Sequence, residues 1–253
     1  KLDSEQKSYL ARFETPNPVG PWLLKGGPGS GKSTVALYCM ASIVRFAQTQ
    51  LSLDQRPQKI LFTTYTRSLV NAAKVLLSSM GIKADEVLEV VNIDALVHRD
   101  LPPSWKGRKC LREHEVRPRA TEALATCLLD QKGFGFSRKD IDFLIDEIDW
   151  VLVGQDLVDE KTYLVTDRTG RGRALGESQR RQVWQFWKTL EAELESRSEC
   201  LFSQRLQAAA HNARGRYGYV FIDEAQDLKP VAIRYCARLC TNKRNVFLTA
   251  DSN

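Results

Sequence analysis

The chain lacks an apolar run long enough to cross a membrane, and no stretch of it reads as a secretory signal. These absences set the expectation of a cytoplasmic protein with no membrane partner. Its six cysteines, Cys39, Cys110, Cys127, Cys200, Cys236 and Cys240, contain no C-x-x-C pair. Cys236 and Cys240 lie one helical turn apart, but no histidine sits near them to complete a metal site. The spacing therefore argues for reduced, mostly buried thiols rather than a disulfide framework or a zinc module. Internal repeats and low-complexity tracts are missing too, which excludes solenoid and tail-like designs. A strong charge bias is also absent. The net charge of +6 suits an anionic partner without demanding one. What basic excess there is lies outside the middle third, since residues 101–200 carry 17 basic and 18 acidic side chains.

What is present is enough to build a core. The 253 residues are 43% apolar and 27% charged, in the range of a folded chain with one large domain or two small ones. The most informative stretch is GGPGSGKST, Gly26 to Thr34. It follows the apolar Trp22-Leu23-Leu24 and precedes a helix-like run from Val35 to Met40. Gly26, Gly31, Lys32 and Ser33 meet the G-x-x-x-x-G-K-[ST] pattern of a phosphate-binding loop in its strand–loop–helix context. Glycines let backbone N–H groups turn inward around a phosphate, and the helix N-terminus adds its positive end. The expected nucleotide cradle is Gly26, Gly27, Pro28, Gly29, Ser30, Gly31, Lys32, Ser33 and Thr34. Lys32 supplies a cation for the β- and γ-phosphates, and Ser33 a hydroxyl for Mg²⁺.

Around this loop, strand and helix patterns alternate. Lys59 to Thr64 reads as a buried strand ending in Tyr65-Thr66-Arg67, followed by a helix with Leu69, Ala72, Ala73, Leu76 and Leu77 on one face. Val87 to Val91 reads as a second strand, leading to Asn92-Ile93-Asp94. Such alternation predicts a parallel sheet, with ligands at the carboxyl ends of its strands. Beyond Pro102-Pro103 the pattern changes to helices, with apolar stripes over 137–153 and 177–196. Residues 102–212 are therefore expected to form a helical insertion between residues 1–101 and 213–253 of one α/β domain. Within it, Ile145 to Asp149 resembles an acidic metal box. Its position on an amphipathic helix instead predicts acids on a solvated face. The basic, glycine-rich stretch Thr166 to Arg173 is expected to be either a solvated loop or a phosphate-backbone contact.

The sheet pattern returns at Gly218 to Ile222 and ends in Asp223-Glu224-Ala225-Gln226-Asp227. Downstream of a phosphate loop, carboxylates at a buried strand end have a specific use. Asp223 is placed to hold Mg²⁺, and Glu224 to deprotonate the water that attacks the γ-phosphate. A last strand runs from Asn245 to Thr249 and ends in Ala250-Asp251-Ser252-Asn253.

Taken together, these stretches resemble the UvrD/Rep-like superfamily 1 helicases with a DExxQ box. Leu2 to Gln6 is similar to the Q motif, Gly26 to Thr34 to motif I, and Thr63 to Lys74 to motif Ia. Val91 to Leu101 resembles motif Ib, Val220 to Leu228 motif II, and Asn245 to Asn253 the first part of motif III. The resemblance implies a RecA-like P-loop domain interrupted by a helical 1B-like subdomain. It implies ATP, read at adenine by Gln6, in a cleft closed by a second RecA-like domain of the same protein. It implies single-stranded DNA over Thr64, Tyr65, Thr66, Arg67 and Asn92, with Tyr65 stacking on a base, and Gln226 coupling the γ-phosphate to that path. The implied activity is 3′ to 5′ DNA translocation or unwinding, with repair or defence proteins as partners. The residue reading alone leaves open a nucleotide-gated module that does not unwind, and an RNA-directed motor. The family pattern differs at motif Ib, where Thr-Phe-His is replaced by Asn92-Ile93-Asp94, and after GK[ST], where Arg is replaced by Thr34. The transition-state arginines of the family are expected beyond Asn253. Residues 1–253 alone are therefore expected to hydrolyse ATP poorly, since such an arginine is worth on the order of 10³–10⁵ in rate.

Overall fold

The computed structural model describes residues 4–13, 20–50, 59–82, 87–168 and 172–252, with no side chains for 47–50. Leu2 and Asp3 of the Q-like stretch, the Pro16 and Pro18 break, Thr169 to Arg171 and Asn253 lie outside the described residues. The chain divides into two compact units. The first comprises Lys1–Asp100, Asn212–Leu228 and Ile233–Asn253, and the second Leu101–His211 and Lys229–Ala232.

The first unit opens with helix α1 (Ser4–Leu10) and a 3₁₀ turn, Ala11–Phe13. Strand β1 (Trp22–Gly26) leads through the glycine-rich loop into α2 (Lys32–Gln50). Then come β2 (Ile60–Thr64), α3 (Arg67–Ser79), β3 (Leu88–Asn92) and α4 (Ile93–Asp100). The second unit contributes α5 (Pro103–Lys106), β4 (Lys109–Cys110), α6 (Glu113–Asp130), α7 (Ile141–Glu147), α8 (Glu160–Val165), α9 (Glu177–Ser196) and β5 (Glu199–Cys200). After α10 (Phe202–Asn212), the chain returns to β6 (Tyr219–Ile222), α11 (Pro230–Leu239) and β7 (Val246–Asp251).

All five strands of the main sheet run parallel, in the order β1-β7-β6-β2-β3. This is an α/β P-loop NTPase architecture. Strand β2 is buried at every residue, as a central parallel strand covered on both faces must be. Among the described residues strand β1 pairs only with β7, and it alternates half-buried and exposed residues, the pattern of an edge strand. Its inner face carries Trp22, which packs with Tyr9 and Phe13, and both of these pack in turn against Phe247, at ring-centroid distances of 5.0 to 6.3 Å. Aromatic pairs of this kind contribute about 0.5–1.5 kcal/mol each beyond burial. They fasten α1 beside the phosphate loop, and burial lifts the Tyr9 phenol to about 12.

The point where the insertion leaves and returns is tied within the first unit. Asp100, the last residue of α4, accepts two bonds from the Arg216 guanidinium at 2.8 and 3.0 Å and one from the Tyr235 hydroxyl at 2.5 Å. The Asn212 amide donates to the Asp100 carbonyl at 2.8 Å.

The second unit has its own core, formed by Ala120, Leu124, Leu144, Ile148, Phe186 and Leu190 among others. The two stripes expected from periodicity are buried, but 137–153 is not one uniform helix. A 3₁₀ turn precedes α7, and Ile148–Leu152 widens into a π-helical turn. The solvated-face expectation for Ile145 to Asp149 holds at the exposed Asp146 and is corrected at Glu147 and Asp149. Glu147 is fully buried and accepts from both Arg168 Nε and Nη2, at 2.5 and 2.6 Å, and from the Tyr163 hydroxyl at 2.9 Å. Asp149 accepts from Ser203 and Lys229. Of the basic stretch, two described arginines, Arg168 and Arg173, are held within the fold. Arg168 is 9% exposed, and Arg173 pairs with Asp140 while lying over the Phe136 and Phe143 rings. The two arginines serve packing, and their guanidiniums are already engaged. A short parallel pairing of β4 with β5, missed by the helical pattern, completes the unit. Among the described residues no helix is long and apolar enough to cross a membrane.

Candidate nucleotide site

The phosphate loop bends where its sequence allows. Gly29 and Gly31 adopt φ of 75° and 81°, a region that glycine enters without steric penalty. The turn delivers Lys32 to the first position of α2, where the helix N-terminus and its backbone N–H groups favour an anion. The Lys32 ammonium is 6% exposed and donates to Asp251 Oδ1 at 2.7 Å and to the Gly27 carbonyl at 3.1 Å. Gln6 reaches the loop from α1, its amide donating to the Ser30 carbonyl at 3.0 Å. The aromatic packing of Tyr9 and Phe13 explains this placement, because it fixes the helix that carries Gln6.

Asp223 sits one residue past β6 and is 3% exposed. Burial pushes its carboxyl above the ordinary aspartate range, and the Glu224 charge acts in the same direction; hydrogen bonds from Thr249 and Ser33 oppose the rise. Among the described residues Asp223 has no lysine or arginine ion pair. A buried carboxylate bonded to a P-loop serine hydroxyl, with no cation of its own, is a donor set that suits a hard divalent ion such as Mg²⁺. Ser33 and Asp223 are the residues that would hold it.

Glu224 follows in a left-handed conformation, φ 53° and ψ 49°, which a non-glycine residue adopts at a penalty of about 1–2 kcal/mol. Such strain is characteristic of functional sites held by their surroundings. Its carboxylate accepts from the Gln226 amide at 2.6 Å, and the Gln226 carbonyl oxygen accepts from the Asp251 backbone N–H at 3.1 Å. Gln226 thus ties Glu224 to the residue that pairs with Lys32. Sequence reasoning singled out Glu224, Gln226 and Lys32 but gave no role to Asp251 or Thr249. The only available signal was their position at a strand's carboxyl end.

The residues expected on a DNA path divide. Tyr65, Thr66 and Arg67 are exposed just past β2. Thr66 also caps α3, its hydroxyl accepting the Leu69 N–H at 3.3 Å. Thr64 and Asn92 are paired neighbours on β2 and β3, 0% and 8% exposed. In this arrangement their side chains therefore offer little surface to a DNA strand, unlike those of Tyr65, Thr66 and Arg67.

A parallel sheet, a glycine-rich loop opening a helix and a strand-end Asp-Glu pair define a P-loop NTPase-like domain. The family described as AAA domain (AAA_19) matches residues 14–253, and the chain belongs to it, as a UvrD/Rep-like superfamily 1 helicase N-terminal region. The chain is also similar to a protein named as an ATP-dependent DNA helicase, YjcD of Bacillus subtilis (strain 168). The identity is 22% over 269 residues, covering 100% of this chain and 32% of that protein. The chain thus spans about a third of the length of this relative.

Proposed function

We propose that this chain is the first motor domain of an ATP-dependent DNA translocase or helicase that moves 3′ to 5′ on single-stranded DNA. In this reading residues 102–212 form a 1B-like insertion, and a second RecA-like domain of the same protein closes the nucleotide cleft. The observation that carries the reading is the linked set Lys32–Asp251–Gln226–Glu224, beside Ser33 and Asp223. It joins the phosphate-binding cation, the base and the metal-binding oxygens in one arrangement.

The geometry supports the following roles. Gly26 to Thr34 wrap the phosphates, and Gln6, held against the loop at Ser30, borders the space where adenine binds. An incoming phosphate competes with Asp251 for Lys32. Glu224 accepts the proton of the attacking water, and Gln226 fixes the orientation of that carboxylate. When bound, Mg²⁺ neutralises charge on the phosphate oxygens. Exchange of the Asp251 partner alters the strand end on which Gln226 is anchored, giving a route from nucleotide state to the rest of the domain. Tyr65 and Arg67 supply a stacking ring and a phosphate-binding cation for DNA.

The test is Glu224→Gln in the full-length protein, with nucleotide binding and DNA-stimulated ATP turnover measured together. Retained ATP binding with lost turnover is expected. Unchanged turnover would remove Glu224 as the base. A strand-displacement assay on the wild-type protein then separates unwinding from a nucleotide-gated module.

A further inference from the structure

We infer that Thr249 is a positioning residue for hydrolysis, a role that rests on the nucleotide-site reading above. Thr249 lies on β7 and is fully buried. Its hydroxyl donates to Asp223 Oδ1 at 2.5 Å and accepts the Glu224 backbone N–H at 3.1 Å. One O–H therefore holds both acidic residues of the strand end. A hydroxyl has one proton to give, and the charged carboxylate takes it, so the amide is left to bind a lone pair.

The two bonds do different things. The bond to Asp223 fixes the rotation of a carboxylate that has no lysine or arginine ion pair among the described residues. The bond to Glu224 holds the backbone of a residue in the left-handed region, and that backbone aims the Glu224 side chain. The same strand carries Asp251, the ion-pair partner of Lys32. Thr249 consequently sets the register between the phosphate-binding half of the site, on β1 and β7, and the hydrolytic half, on β6. Water does not substitute for it, because the residue has no exposed surface. A buried strand threonine with only a packing role would lose little on replacement by valine, which has nearly the same shape.

The experiment compares Thr249→Val and Thr249→Ser in the full-length protein, with Glu224→Gln alongside. ATP turnover is measured with single-stranded DNA, and binding of a fluorescent non-hydrolysable ATP analogue without and with Mg²⁺. The expected result for Thr249→Val is a kcat lowered by about 10²-fold, the scale of a misplacement near 1 Å. Analogue affinity without Mg²⁺ stays as in the wild type, and unfolding remains cooperative, with its midpoint lowered by the lost buried hydrogen bonds. Thr249→Ser, which keeps the hydroxyl, restores most of the turnover. A Thr249→Val protein with wild-type kcat overturns the proposal, as does a Thr249→Ser protein no better than valine. If Glu224→Gln is inactive while Thr249→Val is normal, only the role of Thr249 fails. If Glu224→Gln turns over ATP normally, the site reading fails and the role of Thr249 falls with it.

Discussion

Two buried carboxylates, one in each unit, have opposite surroundings. Glu147 has no exposed surface and is fully answered, by both sides of the Arg168 guanidinium and by the Tyr163 hydroxyl. The pairing raises the Arg168 pKa, while burial and the Glu147 charge raise that of Tyr163. Asp223 is 3% exposed; among the described residues it is answered by hydroxyls and a backbone amide, while the neighbouring Glu224 carries a charge of the same sign. Burying a charge is costly unless it is paired. A carboxylate with its partner built in serves the fold. One without a lysine or arginine partner among the described residues, beside a loop shaped for phosphates, suits a ligand that brings a cation, as proposed above.

The contrast is broken most severely at the base. Glu224→Gln should lower ATP turnover by about 10²–10⁴-fold while nucleotide still binds; steady-state turnover and analogue titration measure the two. Next in size is Glu147→Gln. It leaves the Arg168 charge poorly compensated and should destabilise the helical unit by about 3–5 kcal/mol, read by denaturant unfolding. Replacing both partners, as Glu147→Met with Arg168→Leu, should recover much of that loss, because no buried charge then remains. A double variant as unstable as the single one would show that the pair itself, rather than its incompleteness on mutation, holds the unit together. The smallest effect is expected at the exposed ring. Tyr65→Ala should weaken single-stranded DNA binding by about 1–3 kcal/mol without altering nucleotide affinity, as an anisotropy titration would show.

The phosphate loop was legible because its chemistry is local: Gly26 to Ser33 are neighbours in sequence and the turn depends on them alone. The parallel sheet was legible from buried strands such as β2 alternating with helices. Asp251 and Thr249 were not, because their roles exist only once β7 lies beside β1 and β6. Lys32 and Asp251 are 219 residues apart in sequence. Glu147 was misread although a signal existed. It lies three residues after Leu144 and four before Val151, which places it on the apolar stripe of its helix rather than on the polar face. Arg168, 21 residues on, gives no local hint that it is the partner. Thr64 was named for a DNA path through the family resemblance, and its complete burial depends on neighbours that the local sequence does not reveal.

The most direct measurement is Mg²⁺-dependent ATP turnover and thermal unfolding of Asp223→Asn in the full-length protein. An amide is easier to bury than an unpaired carboxylate and cannot replace it toward a divalent ion. The account predicts that turnover is lost while the melting temperature holds or rises. Preserved turnover, or unfolding as marked as that of Glu147→Gln, would contradict it.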